Sequence, residues 1–206
     1  MKTLAVFLCC LVLGFLNLPA QNAPKPASND PMAGLDLGDG SGSHKADPSP
    51  SPFIAQLKGH LLVMDHGKPK DLDPAALDGV KYWAFYYSAS WCGPCRAFTP
   101  QLVEFYQYFK KSHPNFEVIF VGNDGTQDAM LAYMKDDQMT WPSMKYPDLD
   151  QPQVSVKKYF GPAIPDLVLT DATGKVLSDT FVDGKYQGPT HVLEDIKKMV
   201  PRPDGN

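Results

Sequence analysis

The sequence predicts an α/β fold in which helices cover both faces of a mixed β-sheet. Short apolar runs alternate along the chain with segments whose apolar residues recur at helical spacing. The first elements follow a β-α-β order, which places their strands parallel to each other. Two later strands flank a four-residue turn, which predicts an antiparallel hairpin. A sheet that contains both kinds of strand pair is mixed.

The first two strands and the first helix surround a Cys-Gly-Pro-Cys motif. Residues 61–64 form a short apolar run that predicts the first strand. Residues 82–87, Tyr-Trp-Ala-Phe-Tyr-Tyr, predict a fully buried strand that leads directly into the motif at 92–95. After the motif comes a helix that Pro100 is expected to bend, with an apolar stripe formed by Phe98, Leu102, Phe105 and Phe109.

The remaining elements complete the sheet and its helical layers. Residues 116–121 predict the third strand, and residues 126–136 predict a second helix with apolar side chains on one side. Strands at 167–170 and 175–178 flank the turn Asp-Ala-Thr-Gly and predict the hairpin. A last helix is marked by Val192, Ile196 and Met199 and ends at Pro201.

The N-terminal residues predict export. Residues 1–20 contain one lysine, an apolar run and a Leu-Pro-Ala end, which is the pattern of a secretory signal peptide. The run is short for a transmembrane helix, which needs about 20 apolar residues. Cleavage is expected after Ala20 or Ala23, and an uncleaved membrane anchor is the alternative. The protein is therefore expected to be periplasmic or secreted.

Two further regions follow the predicted signal peptide. Residues 21–52 are rich in Pro, Gly and Ser with almost no aromatic or β-branched residues, which predicts a disordered linker. Residues 53–206 have the length of one domain. The formal net charge of the whole chain is −4 with acids and bases intermixed, so nothing predicts a nucleic-acid partner.

The motif at residues 92–95 predicts dithiol–disulfide chemistry. A helix that begins at the first cysteine brings the two thiols face to face and directs its unpaired N–H groups at the first sulfur. Such a setting lowers a thiol pKa from about 8.5 to roughly 3.5–7.5, and the thiolate is the form that attacks disulfides. Gly93 allows a partner chain to approach closely, and Pro94 is tolerated in the first helical turn.

A structural disulfide and half of a zinc site are the alternatives to a redox role. The chain has four cysteines, of which Cys9 and Cys10 fall in the predicted signal peptide. The five histidines lack zinc-ligand spacing, so no metal is expected. A purely structural disulfide stays open, although so short a loop gains little closure entropy from a cross-link.

Two motifs in order resemble the thioredoxin superfamily. The string Trp-Cys-Gly-Pro-Cys-Arg at 91–96 resembles its active site, and Ile164-Pro165 before a strand resembles its cis-proline. The longer strings at 87–92 and 95–102 resemble the tryparedoxin and nucleoredoxin branch. The resemblance implies a thioredoxin fold, which has three α/β/α layers and a mixed central sheet.

The resemblance also implies roles for single residues. Cys92 would be the exposed nucleophile and Cys95 the buried resolving thiol. A cis bond before the proline would expose backbone groups for pairing with a substrate strand. The substrate-binding residues that the resemblance implies are Trp91, Gly93, Pro94, Ile164 and Pro165.

The sequence departs from the family pattern near the motif, and these departures leave some roles open. Gly93-Pro94 stands where tryparedoxins carry two prolines, and Tyr86 replaces the buried acid that lies six residues before the first cysteine in thioredoxins. The proton acceptor for Cys95 is therefore unassigned. Asp124, after the third strand, could lie near the motif, but a turn-forming role is the favoured interpretation.

The residues and the resemblance together predict an exported thiol–disulfide oxidoreductase that reduces protein disulfides. Its expected partners are extracytoplasmic client proteins with disulfides and an unidentified electron donor, and no cofactor is expected. A disulfide oxidase or isomerase with the same site and a redox-gated binding module are the alternatives. A metal chaperone is disfavoured because the sequence offers too few ligands.

Overall fold

The computed structural model describes residues 52–203. The predicted signal peptide at 1–20 and the predicted linker up to residue 51 lie outside the described residues. The first helix begins at Pro52, the last residue assigned to the linker.

The described chain alternates strands and helices in the predicted order. The strands are β1 (Leu61–Asp65), β2 (Lys68–Asp71), β3 (Tyr82–Ser88), β4 (Phe116–Gly122), β5 (Ser143–Met144), β6 (Asp166–Asp171), β7 (Val176–Asp179), β8 (Phe181–Val182) and β9 (Lys185–Tyr186). The α-helices are α1 (Pro52–Ala55), α2 (Gly93–Ser112), α3 (Gln127–Asp136) and α4 (Thr190–Met199). Short 3-10 helices occur at Pro74–Leu77, Tyr146–Asp148 and Ser155–Tyr159. Each strand and helix predicted from the sequence is present.

Four short strands were not predicted. Strand β2 has the sequence Lys-Pro-Lys-Asp and is exposed throughout, so it carries no apolar pattern. Strands β5, β8 and β9 have two residues each, too few for a period to be read. Their pairing defines these strands: β2 pairs with the preceding β1, β8 with the following β9, and β5 with β1 and β4.

The sheet is mixed, as the sequence predicts. Its seven strands lie in the order β2-β1-β5-β4-β3-β6-β7, and β8 pairs with β9 in a separate hairpin. The pairs β3–β4 and β4–β5 are parallel, and the other pairs in the sheet are antiparallel. The sheet therefore has a parallel centre with antiparallel neighbours.

Side chains of β3 alternate between two hydrophobic cores. Ala84 and Tyr86 belong to a cluster that contains apolar residues of α2, α3 and α4. Phe85 and Tyr87 belong to a second cluster, which contains residues of α1 and of the 3-10 helices. Both faces of the central strand are buried, which explains its uninterrupted apolar sequence.

Three chain segments meet at one end of β3. Helix α2 begins shortly after β3 ends and continues through Pro100 to Ser112. The end of β4 lies beside the same point, because the Asn123 N–H donates to the Ser88 carbonyl at 2.8 Å. The antiparallel register places Asp166, the first residue of β6, opposite Tyr87. This convergence positions the candidate site.

Candidate active site

Cys92 and Cys95 form a disulfide at the N-terminus of α2. Their Cα atoms are 5.2 Å apart. Cys92 is the N-cap residue, and the Cys95 N–H lies 3.2 Å from its sulfur. Cys92 is 6% exposed, whereas Cys95 is fully buried at 0%. Cys92 is thus largely buried and not exposed as expected, but it is the cysteine of the pair that retains solvent-exposed surface. In the reduced form, the helix N–H groups would stabilise a thiolate there.

Ile164 and Pro165 lie against this pair although they are about 70 residues away in sequence. The bond between them is cis. The carbonyl oxygen of Ile164 is 3.8 Å from the Cys92 sulfur, and the Ile164 side chain packs on both cysteines. The structure thus brings together four of the residues that the resemblance implies for the site.

The other three predicted site residues form the outer surface of the motif. Trp91 is 69% exposed, and its indole N–H donates to the Asn123 carbonyl at 3.3 Å. It is therefore not a core residue, and it presents a flat apolar surface beside Cys92. Gly93 and Pro94 are exposed in the first turn of α2, and no atom lies within 4 Å of the position a Gly93 side chain would take.

Asp124 binds the motif loop, so the structure agrees with the alternative interpretation and not with the favoured turn-forming role. Its Oδ1 accepts the Ser90 N–H at 2.9 Å and the Ser90 hydroxyl at 2.5 Å. Asp124 is 7% exposed, and its second carboxylate oxygen has no hydrogen-bond partner. Such a long-range contact is not encoded in local turn propensity, so the sequence alone favoured the wrong role.

A network of buried hydroxyl groups lies behind Cys95 on the α2 side of the sheet. Thr99 Oγ1 is 2.9 Å from the Cys95 carbonyl oxygen, 2.8 Å from the Tyr86 hydroxyl and 2.6 Å from the Tyr133 hydroxyl. A carbonyl can only accept, so Thr99 donates to it and accepts from both tyrosines. The Ser88 hydroxyl donates to Tyr133 at 2.9 Å.

The network holds the backbone at Cys95 and does not serve as the proton acceptor for the Cys95 thiol. Burial, with a smaller contribution from Tyr133, raises the pKa of Tyr86 well above its ordinary value, so Tyr86 remains protonated. All four hydroxyl protons already have oxygen acceptors. Tyr86, which replaces the acid of thioredoxins, therefore helps to hold the Cys95 carbonyl, both directly at 3.4 Å and through Thr99.

Sequence reasoning missed two members of this network. Thr99 follows Cys95 by four residues and so lies on the same face of α2, a spacing that could have indicated it. Tyr133 reaches the network from α3, which no local pattern indicates.

Two further observations concern the described residues. No three His, Cys, Asp or Glu side chains of this part of the chain are grouped to hold a metal ion. Within residues 52–203 no helix combines the length and apolar character that a membrane span requires.

Comparison of this chain with known proteins identifies relatives that share this fold. A family model described as Thioredoxin-like matches residues 79–176. The solved structure of tryparedoxin I from Leishmania major is 32% identical, covers 70% of this chain and 93% of its own, and has a TM-score of 0.53. Tryparedoxin from Trypanosoma brucei brucei is 36% identical over 114 residues, which are 53% of this chain and 70% of that protein.

This chain belongs to the thioredoxin-like family. Human nucleoredoxin is 32% identical over 146 residues, which are 71% of this chain and 31% of nucleoredoxin. The chain thus matches about a third of the length of that relative. These relatives support the tryparedoxin and nucleoredoxin branch, and the thioredoxin fold is confirmed. The protein is a thioredoxin-like member of an oxidoreductase family with a Cys92–Cys95 disulfide.

Proposed function

We propose that this protein is an exported thiol–disulfide oxidoreductase that reduces disulfides in client proteins. The observation that carries the proposal is the asymmetry of the cysteine pair. Cys92, at the N-terminus of a 20-residue helix, keeps 6% of its surface exposed, whereas Cys95 is fully buried. One sulfur is placed to attack a partner, and the other is placed to release it.

The cycle transfers two electrons from the protein to the client. In the reduced protein, the Cys92 thiolate attacks one sulfur of the client disulfide, and the other client sulfur leaves and takes up a proton. Cys95 then loses its proton and attacks the Cys92 sulfur. The mixed disulfide breaks, the second client thiol is released, and the Cys92–Cys95 disulfide remains. An electron donor returns the pair to the dithiol form.

The surface around Cys92 supports the docking of an extended client segment. The Ile164 carbonyl borders the Cys92 sulfur on one side, and exposed Trp91 borders the motif on the other. Backbone groups before Pro165 offer hydrogen bonds to a client strand. Exposed Gly93 and Pro94 leave the sulfur open to approach.

The compartment and the partners are part of the proposal. The lysine and the apolar run within residues 1–20 support export to the periplasm or the cell exterior. The clients are then extracytoplasmic proteins with disulfides. An oxidising compartment also requires a continuous supply of electrons from a donor.

Turnover of an oxidised protein substrate tests the proposal. Reduction of insulin by dithiothreitol should be accelerated by the wild-type protein and not by Cys92→Ser. Cys95→Ser should accumulate a mixed disulfide with the client, because only the second thiol can resolve that intermediate. Trapping by Cys92→Ser instead would reverse the two roles. A reduction potential close to that of strong oxidants would favour the oxidase alternative.

A further inference from the structure

Asp166 is a buried carboxyl group next to the candidate active site. It is 0% exposed and directly follows Pro165. Its Oδ2 accepts the Gly161 N–H at 2.8 Å, and its Oδ1 has no hydrogen-bond partner. None of the ion pairs among residues 52–203 includes Asp166. Neither the sequence motifs nor the redox cycle accounts for this group.

The carboxyl closes a loop that borders Cys92. Residues 161–165 contain two prolines, which have no N–H to donate, so few backbone bonds are available to fix the loop. The Gly161 N–H is one of them, and it is bound by Asp166. The other end of the loop carries the Ile164 carbonyl, which is 3.8 Å from the Cys92 sulfur.

The loop is packed from outside by the β8–β9 hairpin. The Tyr186 hydroxyl donates to the Pro165 carbonyl at 3.4 Å. A side chain at Gly161 would meet the Phe181 ring at 2.5 Å and Asp166 Oδ2 at 3.1 Å. The hairpin and the carboxylate therefore hold the loop from two sides.

Several titratable groups face the carboxyl, and none of them is a cation. They are Tyr87 on β3, Asp179 on β7 and Tyr186 on β9. The pKa of Asp166 is raised to about 6, chiefly by burial. The Gly161 hydrogen bond opposes this rise, and the Asp179 charge adds to it. The nearby Thr180 hydroxyl and Leu167 N–H oppose the rise weakly. Asp166 is therefore ionised at neutral pH and protonated in a mildly acidic medium.

An asparagine at position 166 would have nearly the same shape as Asp166 without burying a charge. A buried charge without a counterion, with one unpartnered oxygen, is costly and is characteristic of functional positions. A hydrogen bond to an ionised acceptor is roughly twice as strong as a neutral one. The charge thus strengthens the Gly161 bond, which is what a loop that presents Ile164 to a client requires.

We propose that Asp166 is a positioning residue for disulfide exchange: its carboxylate holds the loop at 161–165 so that the Ile164 backbone receives a client segment beside Cys92, and its protonation weakens client docking. The inference rests on the proposed function, since it concerns the docking step of that reaction. It adds a pH dependence that belongs to docking and not to the thiol.

The test compares two substrates over a pH series. Oxidised insulin requires docking on the loop, whereas a small aromatic disulfide such as dithiobis(nitrobenzoate) reacts at the sulfur alone. The ratio of their kcat/KM values cancels the titration of Cys92, which affects both reactions. In the wild-type protein this ratio should fall about three- to fivefold between pH 7.5 and pH 5, with a midpoint near 6.

Two variants sharpen the test. Asp166→Asn keeps an acceptor for the Gly161 N–H but has no charge, so its ratio should be low at all pH values and should show no step. Asp179→Asn is the matched control, because it removes a neighbouring charge that has no bond to residues 161–165. The Asp179 side chain accepts the Phe181 N–H of the hairpin at 2.8 Å, and Asn keeps an acceptor for that bond. Its ratio should keep the step but with a midpoint at lower pH, since the Asp179 charge raises the pKa of Asp166.

Each result has a clear consequence. A flat wild-type ratio, or a step that persists unchanged in a folded Asp166→Asn, overturns the inference while leaving disulfide reduction in place. If Asp166→Asn does not fold, as judged by circular dichroism, the wild-type step and its shift in Asp179→Asn decide the question. A wild-type protein that reduces neither disulfide would refute the proposed function itself.

Discussion

Two buried polar sites flank the cysteine pair, and they differ in how completely they are satisfied. On the α2 side, the hydroxyls of Tyr86, Thr99 and Tyr133 form a neutral network in which every proton has an acceptor. Beside Pro165, the Asp166 carboxyl accepts one backbone N–H and leaves one oxygen without a partner.

The two sites therefore respond differently to pH. A satisfied neutral network has nothing to gain from binding or losing a proton near neutral pH, so it stabilises the backbone behind Cys95 under all ordinary conditions. A buried carboxyl with an unpartnered oxygen changes charge in an accessible pH range. The protein thus keeps the backbone of Cys95 fixed and places a titratable group beside the loop that borders Cys92.

The largest effect is expected from breaking the hydroxyl network at its centre. Thr99→Val removes the acceptor of two tyrosine hydroxyls and the donor to the Cys95 carbonyl. Three buried hydrogen bonds are lost, and Tyr86 keeps only its 3.4 Å bond to the Cys95 carbonyl while Tyr133 keeps only Ser88. The free energy of unfolding should therefore fall by about 2–4 kcal/mol. Urea unfolding at pH 7 measures this loss.

Thr170→Val is the matched control for that variant. Thr170 is fully buried, but its hydroxyl has no hydrogen-bond partner. The same substitution there should change the free energy of unfolding by less than about 1 kcal/mol, or should stabilise the protein. Equal losses in both variants would show that the network contributes nothing beyond side-chain shape.

The second effect depends on pH and concerns Asp166→Asn. Because the pKa of Asp166 is about 6 in the folded protein and about 3.9 in an unfolded chain, the folded state binds this proton more tightly. Ionisation of Asp166 therefore lowers the free energy of unfolding as pH rises. The loss is almost nothing below about pH 4 and reaches about 3 kcal/mol above pH 7.

Asp166→Asn lacks this pH-dependent loss. The difference in free energy of unfolding, variant minus wild type, should therefore increase as pH rises from about 4 to about 7. Urea unfolding of both proteins at several pH values measures the gain. A difference that stays constant across this range would mean that Asp166 does not titrate there.

The smallest effect is expected from Tyr86→Phe. Thr99 still donates to the Cys95 carbonyl and still accepts from Tyr133, so no polar group is left without a partner. The variant should lose about 1 kcal/mol of unfolding free energy, which is the value of one hydrogen bond. A loss as large as that of Thr99→Val would make Tyr86, and not Thr99, the centre of the network.

The residues around the cysteine pair show which parts of the site the sequence could predict. Residues 92–95 follow a buried strand and begin a helix, so their chemistry could be inferred from contiguous residues. Ile164 and Pro165 joined the predicted site only through the resemblance, because the contact of Ile164 with Cys92 joins residues far apart in sequence. For Asp124, the sequence favoured a turn-forming role over a position near the motif, because turn propensity is local whereas its bond to Ser90 joins distant segments.

The sequence by itself determined the alternation of strands and helices, the mixed sheet and the redox pair, because apolar period, turn residues and cysteine spacing act over a few neighbouring positions. The tertiary structure alone decided which polar groups meet: Tyr133 with Thr99, Asp124 with Ser90, and Asp166 with the loop beside Cys92. Burial and partnering arise only when distant segments pack, and these two quantities set the pKa of Asp166 and the satisfaction of the hydroxyl network.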